Sequence, residues 1–194
     1  MNWEVIIKYL PKLLEGAWLT LELVGIAVIA GLILAIPLGV ARASQHWYVR
    51  VFPYSYIFFF RGTPLLVQLF LVYYGLPQFD IIREGPLWPY LRSPFWCAVI
   101  TMTLHTAAYI AEIIRGAIQA IPAGEIEAAR ALGMSKWQTL IYITMPRATR
   151  IGLPAYSNEV ILMLKASALA STITLLELTG MARTIIARTY LPVE

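Results

Sequence analysis

The chain has 194 residues, of which 59% are apolar and 13% charged, with a mean hydropathy of +0.69. A soluble domain runs at about 45–50% apolar and about 25% charged, so the composition excludes an ordinary water-soluble domain and points to an integral membrane protein. The net charge of +4 arises from 15 Lys and Arg scattered at the ends of apolar runs; no basic stripe forms, which argues for membrane topology and against a nucleic-acid partner.

In chain order, residues 3–14 place Trp3, Ile6, Ile7, Leu10, Leu13 and Leu14 at helical spacing opposite Glu4, Lys8 and Lys12. Two readings stay open there: a helix lying in the headgroup plane, or the tilted start of the first span. No short apolar core ending in small residues follows the start, so a cleaved signal peptide is not expected and the first span serves as its own insertion signal. At about 20 apolar residues per crossing, the first span is predicted over residues 17–40, with Glu22 near its outer end and Pro37 near its inner end. Gly25, Ala27, Gly31 and Ala35 offer small surfaces for helix contact.

The connection 42–50 carries Arg42 and Arg50 and no acid. A second span over 51–76 is interrupted in its middle by Arg61-Gly62-Thr63-Pro64, and a loop rich in Pro and containing Trp88, balanced in charge, covers 77–94. The third span covers 95–118 and contains Cys97, the single cysteine, whose surroundings suit packing and rule out a disulfide framework or a thiolate metal site. A polar stretch over 115–150 holds five Lys or Arg against two Glu, and a fourth span covers 153–173. Loops rich in Lys and Arg stay in the cytoplasm, so 42–50 and 115–150 are expected inside, and 77–94 and both termini outside. Residues 174–194 are too polar to cross and read as an external amphipathic segment. No catalytic set, metal-ligand set or resident cofactor is predicted.

Inside the polar stretch, Pro122 suits a first helical turn, Glu125 and Glu127 complement the positive end of the helix dipole, and Gly133 suits a left-handed residue just past the helix end. Ser135 with Gln138 forms a capping box for a second helix, whose apolar stripe of Trp137, Leu140, Ile141 and Met145 is predicted to end before Pro146. The result is a helix, a sharp Gly turn and a helix between two spans. A helix this short needs something packed against it, because isolated helices below about 12–15 residues rarely persist, and Ala128, Ala129 and Ala131 allow close approach.

Charges within the spans are the other candidates. An ionised side chain at the bilayer centre costs about 2.5–3.5 kcal/mol on insertion scales and usually faces a cavity or a partner. Glu159, with Asn158 beside it, lies in the inner part of span four, and Arg61 sits just before the Gly-Thr-Pro break, where freed backbone groups often line a polar site. In one reading Glu159 binds the cationic end of a small solute, while Arg61 and Thr63 hold a carboxylate end or fix Glu159. In the other, an Arg61–Glu159 bridge ties two spans together. Glu112 and Arg115 are spaced for a local ion pair, and His105 suits a packing role.

The segment Glu127-Ala128-Ala129-(x)3-Gly133-(x)9-Ile143-Thr144-Met145-Pro146 resembles the E-A-A-x3-G-x9-I-x-L-P signature of membrane subunits of bacterial ATP-binding-cassette (ABC) importers, with Met145 in the Leu position. Phe60-Arg61-Gly62-Thr63-Pro64 with Gln68, Ala108-Tyr109-Ile110-Ala111-Glu112-Ile113, and Leu153 to Val160 are similar to the branch serving histidine, lysine, arginine, ornithine, glutamine and opines. The resemblance covers nearly the whole chain. It implies an all-α, polytopic helical bundle of the type I importer permease kind, a single permease domain over 1–194 in the bacterial inner membrane, with 119–146 as its cytoplasmic coupling segment.

By the same resemblance, Glu127, Ala128, Ala129, Gly133 and Pro146 couple the subunit to a cytoplasmic ATPase dimer, and Glu159 faces the translocation cavity. The implied partners are those ATPases, a second homologous permease subunit, an external substrate-binding protein, lipid and an amino acid substrate. The chain has no G-x-x-x-x-G-K-[ST] loop, so ATP hydrolysis is expected in the partner. Family members usually end with a further span and a basic tail, whereas this sequence stops at Pro192-Val193-Glu194, so four spans are expected and the family's fifth is expected to be missing. The rivals are an ion-coupled secondary transporter, which should show paired inverted repeats, and a non-transporting membrane scaffold.

Overall fold

The computed structural model describes the backbone of residues 3–190 and the side chains of residues 6–190. Trp3, Glu4 and the final Pro192-Val193-Glu194, on which parts of the reading above rest, lie outside the residues whose side chains are described.

Helices make up the chain, and no strand occurs among the described residues. Helix α1 runs unbroken over Trp3–Arg42, so the N-terminal amphipathic stretch is the start of the first span and not a separate surface helix. Helix α2 covers Trp47–Gly62 and α3 covers Leu65–Phe70. Between them Thr63 (φ −113°, ψ 138°) and Pro64 (φ −62°, ψ 137°) are extended, which is the break expected from the Gly-Thr-Pro sequence.

After α3 come a wide turn over Leu71–Gly75 and a tight one over Leu76–Gln78, then two short helices, α4 (Asp80–Arg83) and α5 (Trp88–Leu91). Helix α6 spans Pro94–Gln119, α7 Ala123–Ala131, α8 Lys136–Thr139, α9 Met145–Ala166 and α10 Leu178–Thr189, with a tight helical turn over Ser167–Ile173 before α10. Among the described residues, two helical stretches, Ile6–Arg42 and Pro94–Gln119, are each long and apolar enough to cross a bilayer; two broken runs, 47–78 and 136–189, bring the count to four if each crosses once.

The hairpin's second helix does not stop before Pro146. It passes through a wide turn over Leu140–Thr144, in which the Met145 amide bonds to the Leu140 carbonyl five residues back, and continues as α9. The same device precedes Pro77, where the Leu76 amide bonds to the Leu71 carbonyl. A proline lacks the N–H and pushes against the carbonyl four residues before it; one residue extra in the preceding turn relieves both, so the helix continues.

The chain divides into two compact units, one formed by residues 1–28, 64–103 and 162–194, the other by 29–63 and 104–161. In the first, Leu23, Leu69, Met102, Met163 and Ile173 are fully buried, and Cys97 is a packed residue whose thiol donates to the Leu91 carbonyl at 3.1 Å. In the second, Ala35, Ile57, Ala108, Ile110 and Ala111 form the centre, with Tyr56 and Phe60 packed on it. The Tyr56 hydroxyl donates to the Leu104 carbonyl at 2.6 Å. A β-carbon on Gly39 would lie 2.8 Å from both the Ala111 carbonyl oxygen and the Ile114 side chain, so the two helices meet at van der Waals contact there.

Candidate functional site

Every coupling-segment and span-charge candidate falls in the second unit. Helix α7 has nine residues and cannot hold itself in water. The chain supplies its packing: Ile126 sits on a cluster of Ala117, Ile121 and Ala148, and Ala129 is 3% exposed. Glu125 adds an ion pair to Arg147 at 2.9 Å. Of the alanines read as approach surface, Ala129 therefore faces its own chain, while Ala128 and Ala131 face out with Glu127.

The helix ends as its sequence demands. Gly133 has φ +80°, and the amides of Met134 and Gly133 bond to the carbonyls of Ala129 (3.1 Å) and Arg130 (2.9 Å), the double bond pattern of a left-handed helix stop. Ser135 and Gln138 then exchange hydrogen bonds, the Ser135 amide to Gln138 Oε1 at 2.8 Å and the Gln138 amide to Ser135 Oγ at 3.2 Å. This outer edge leaves large apolar groups uncovered, Leu132 at 83% exposure and Trp137 at 73%. Surface of that kind on an otherwise satisfied hairpin is a candidate contact face. Pro146 sits apart from it, exposed in the first turn of α9.

Among the span charges, Glu159 is 6% exposed on α9, whereas its neighbour Asn158 and Arg61 on α2 are exposed. The Arg61–Glu159 bridge does not close: the described ion pairs are Asp80–Arg83, Glu112–Arg115 and Glu125–Arg147. Arg61 instead lays its guanidinium over the Tyr109 ring, Cζ to centroid 5.1 Å, and acts on Glu159 as a nearby charge. The Tyr109 ring also meets His105, with the two ring centroids 4.9 Å apart. Thr63 spends its hydroxyl on the Phe59 carbonyl at 2.8 Å, closing the last turn of α2 before the break.

Arg61 opens onto a cavity of about 340 Å³ that also takes in Arg42, Tyr54, Tyr109 and Glu112. Sequence reasoning missed Arg42 and Tyr109 as parts of a polar site. Arg42 read only as a topology charge, and an aromatic inside an apolar run carries no signal of its own until a cation is placed above it. A separate groove of about 290 Å³, lined by residues such as Ile36, Ile113, Leu153 and Tyr156, presents no charged side chain. Among the described residues no His, Cys, Asp and Glu cluster suits a metal ion.

The sequence matches the family described as binding-protein-dependent transport system inner membrane component over residues 27–190. It is 50% identical over 192 residues to the octopine transport system permease protein of Rhizobium meliloti, covering 99% of this chain and 77% of that protein. It is 43% identical to the histidine/lysine/arginine/ornithine transport system permease protein of Salmonella typhimurium, covering 97% of this chain and 84% of that one. Among solved structures, an amino acid ABC transporter with histidines superposes at a TM-score of 0.85 with 38% identity, over 100% of this chain and 86% of that chain. A methionine ABC transporter in an inward-facing form shares the fold at a TM-score of 0.76 and 20% identity, over 96% and 84% of the two chains. The fold is thus the all-helical permease of type I importers, and its place is the inner membrane. The chain belongs to the family of inner-membrane components of binding-protein-dependent transport systems.

Proposed function

We propose that this permease subunit carries polar or basic amino acids or opines inward, driven by ATP that a partner hydrolyses. The relatives that support the substrate class serve octopine and histidine, lysine, arginine and ornithine. In this reading the chain pairs with a second homologous permease and a cytoplasmic ATPase dimer, and an external binding protein delivers the solute. Closure of the ATPases draws the hairpins together and opens the outer side; hydrolysis returns the subunit to the inward-open state.

The observation that carries the reading is the hairpin. Its inner face is packed and ion-paired to its own chain, and its outer face offers Glu127, Ala128, Leu132 and Gly133 with nothing on them. Residues 119–146 would be the cytoplasmic coupling segment, the spans would follow 17–40, 51–76, 95–118 and 153–173, and α10 would lie outside. Buried Glu159 would receive the cationic end of the solute, with Asn158, Arg61 and Thr63 around its path. Replacing Glu127 by Lys in the reconstituted importer tests this. Uptake and solute-dependent ATP hydrolysis should both fall, with the permease still assembled in the membrane, and unchanged values for both would remove the coupling role.

A further inference from the structure

Arg42 Nε and Glu112 Oε2 are buried without a hydrogen-bond partner. Among the described residues these are the charged side chains in that position; the other unpartnered atoms are hydroxyls of Thr103, Thr106 and Thr139. An unmet donor or acceptor on an ionised group costs more than one on a neutral hydroxyl, so these two atoms require an explanation. Both side chains line the same cavity of about 340 Å³.

The groups around them hold both side chains in place and leave one atom of each unmet. The Arg42 guanidinium lies over the Tyr54 ring with Cζ 5.0 Å from its centroid, as Arg61 lies over Tyr109 at 5.1 Å. A ring face holds a guanidinium flat and leaves its edge of N–H donors free for a planar acceptor. Glu112 commits one oxygen to Arg115 Nε at 2.8 Å, which fixes the carboxylate and leaves the second oxygen over. Both side chains line the cavity, so a turn of either one would present its unmet atom to a molecule there.

We propose that this cavity is a second station for the transported solute, in which Arg42 holds an α-carboxylate and Glu112 holds the α-ammonium of an amino acid head group. The proposal rests on the reading of the chain as an amino acid or opine permease, and Arg61, shared with the surroundings of Glu159, makes the two stations contiguous. The ligand class follows from the two unmet atoms. Two arginines alone would suit any anion, including a phosphate of a lipid headgroup, but the unmet oxygen of Glu112, whose other oxygen is paired with Arg115, calls for an N–H donor that a simple anion does not bring. A zwitterion satisfies both unmet atoms at once. By the positive-inside rule Arg42 lies at the cytoplasmic end of α1, so this would be the station from which solute is released.

The test uses the complete importer in nanodiscs without ATP, with radiolabelled arginine and octopine as probes. Agmatine, which lacks the carboxylate of arginine, and Nα-acetylarginine, which lacks its ammonium, serve as competitors. Arg42→Gln should weaken arginine binding about tenfold, the loss of one charge-assisted bond, and leave agmatine unchanged. Glu112→Gln, which keeps an acceptor for Arg115, should weaken arginine and leave Nα-acetylarginine unchanged. Arg42→Lys keeps the charge without the fork and should fall between, showing that the effect is not misfolding. Equal losses for arginine and its truncated analogues, no loss at all, an effect that disappears when anionic lipid is omitted, or a wild-type complex that retains neither probe would each overturn the proposal. ATP-driven uptake by the same wild-type complex is scored separately, so that import without an Arg42-dependent distinction sinks this station and leaves the permease reading standing.

Discussion

Glu125 on α7 accepts two hydrogen bonds from Arg147 on α9, at 2.9 Å from Nη2 and 3.2 Å from Nε, so the hairpin is held to the helix that follows it by a forked pair 22 residues apart in sequence. Both side chains are partly open to water, at 33% and 49% exposure, so the pair adds at most about 1 kcal/mol to stability. If the hairpin is a coupling element, this pair is a path by which a push on α7 would reach α9. Arg147→Glu should leave the unfolding temperature of the purified permease within a few degrees and lower the solute imported per ATP hydrolysed. The exchanged pair, Glu125→Arg with Arg147→Glu, should recover most of it. A double variant as uncoupled as the single one would show that the link transmits nothing.

At Gly133 the backbone conformation and the space around it make opposite demands. With φ at +80°, a side chain is strained by about 1–2 kcal/mol, yet a β-carbon there would meet nothing within 4 Å. Gly133→Val should therefore loosen the hairpin without a clash, raising amide exchange at 129–134, where the two terminating bonds lie, while α6 stays protected. Gly133→Asn, which tolerates the left-handed region, should behave nearly as wild type. Equal exchange in both variants would mean that conformation is not what glycine supplies.

The hairpin was legible from sequence because its signals are local: a proline at the start, a glycine at the stop and the Ser135–Gln138 box each act within four residues. Pro146 misled for a related reason. The rule that proline ends a helix is also local, but it lost to the wide turn at Leu140–Thr144, which no residue type announces. The span charges were legible as anomalies and not as partners. Glu159 stood out in an apolar run, but whether Arg61 meets it depends on rotations of α2 and α9 about their axes, and there Tyr109 outcompeted the carboxylate. Arg42 was hidden altogether, since a basic residue at a span end has a sufficient explanation in topology.

Glu159 is the one carboxylate buried in the interior of α9, at 6% exposure, with no ion pair of its own among the described residues. If it receives the cationic end of a solute, Glu159→Gln should keep the shape and remove the charge, lowering import of arginine, lysine and ornithine about tenfold relative to a neutral competitor such as glutamine, the loss expected for a hydrogen bond to a charged group. Competition uptake in vesicles reads this ratio directly. A ratio equal to wild type, at equal expression, removes Glu159 from the path.

Gly39 and Gly25 on α1 make a matched pair for the packing. A β-carbon at Gly39 would stand 2.8 Å from the Ala111 carbonyl oxygen and from Ile114, and one at Gly25 would meet nothing within 4 Å. Gly39→Ala must push α1 and α6 apart where they touch, at a cost of about 1–3 kcal/mol. Gly25→Ala gains helix propensity, about 1 kcal/mol at most. Thermal unfolding of the detergent-solubilised permease should separate them, with the first lowered and the second equal to or above wild type. The reverse order would show that the close approach at Gly39 is not needed.

Glu177 is 1% exposed, and its carboxylate accepts the amides of Thr179 at 2.9 Å and Gly180 at 2.7 Å, at the start of α10. The amide of Leu178 goes to Thr20 Oγ1 at 3.1 Å, and that hydroxyl donates in turn to the Gly16 carbonyl at 3.0 Å. The first three amides of the helix, which have no partner inside it, are thus met by two side chains, one of them 158 residues away. Glu177→Ala removes a cap worth about 0.5–2 kcal/mol, and Thr20→Val leaves one buried amide unmet, at about 1–3 kcal/mol. Because the two act on different amides of one turn, the double variant should cost less than the sum if the first substitution already frays the helix. Hydrogen exchange over 178–189 should rise in each single variant while 104–118 is unaffected; a rise spread evenly along the chain would mean that these groups stabilise the permease as a whole and do not specifically hold α10 to α1.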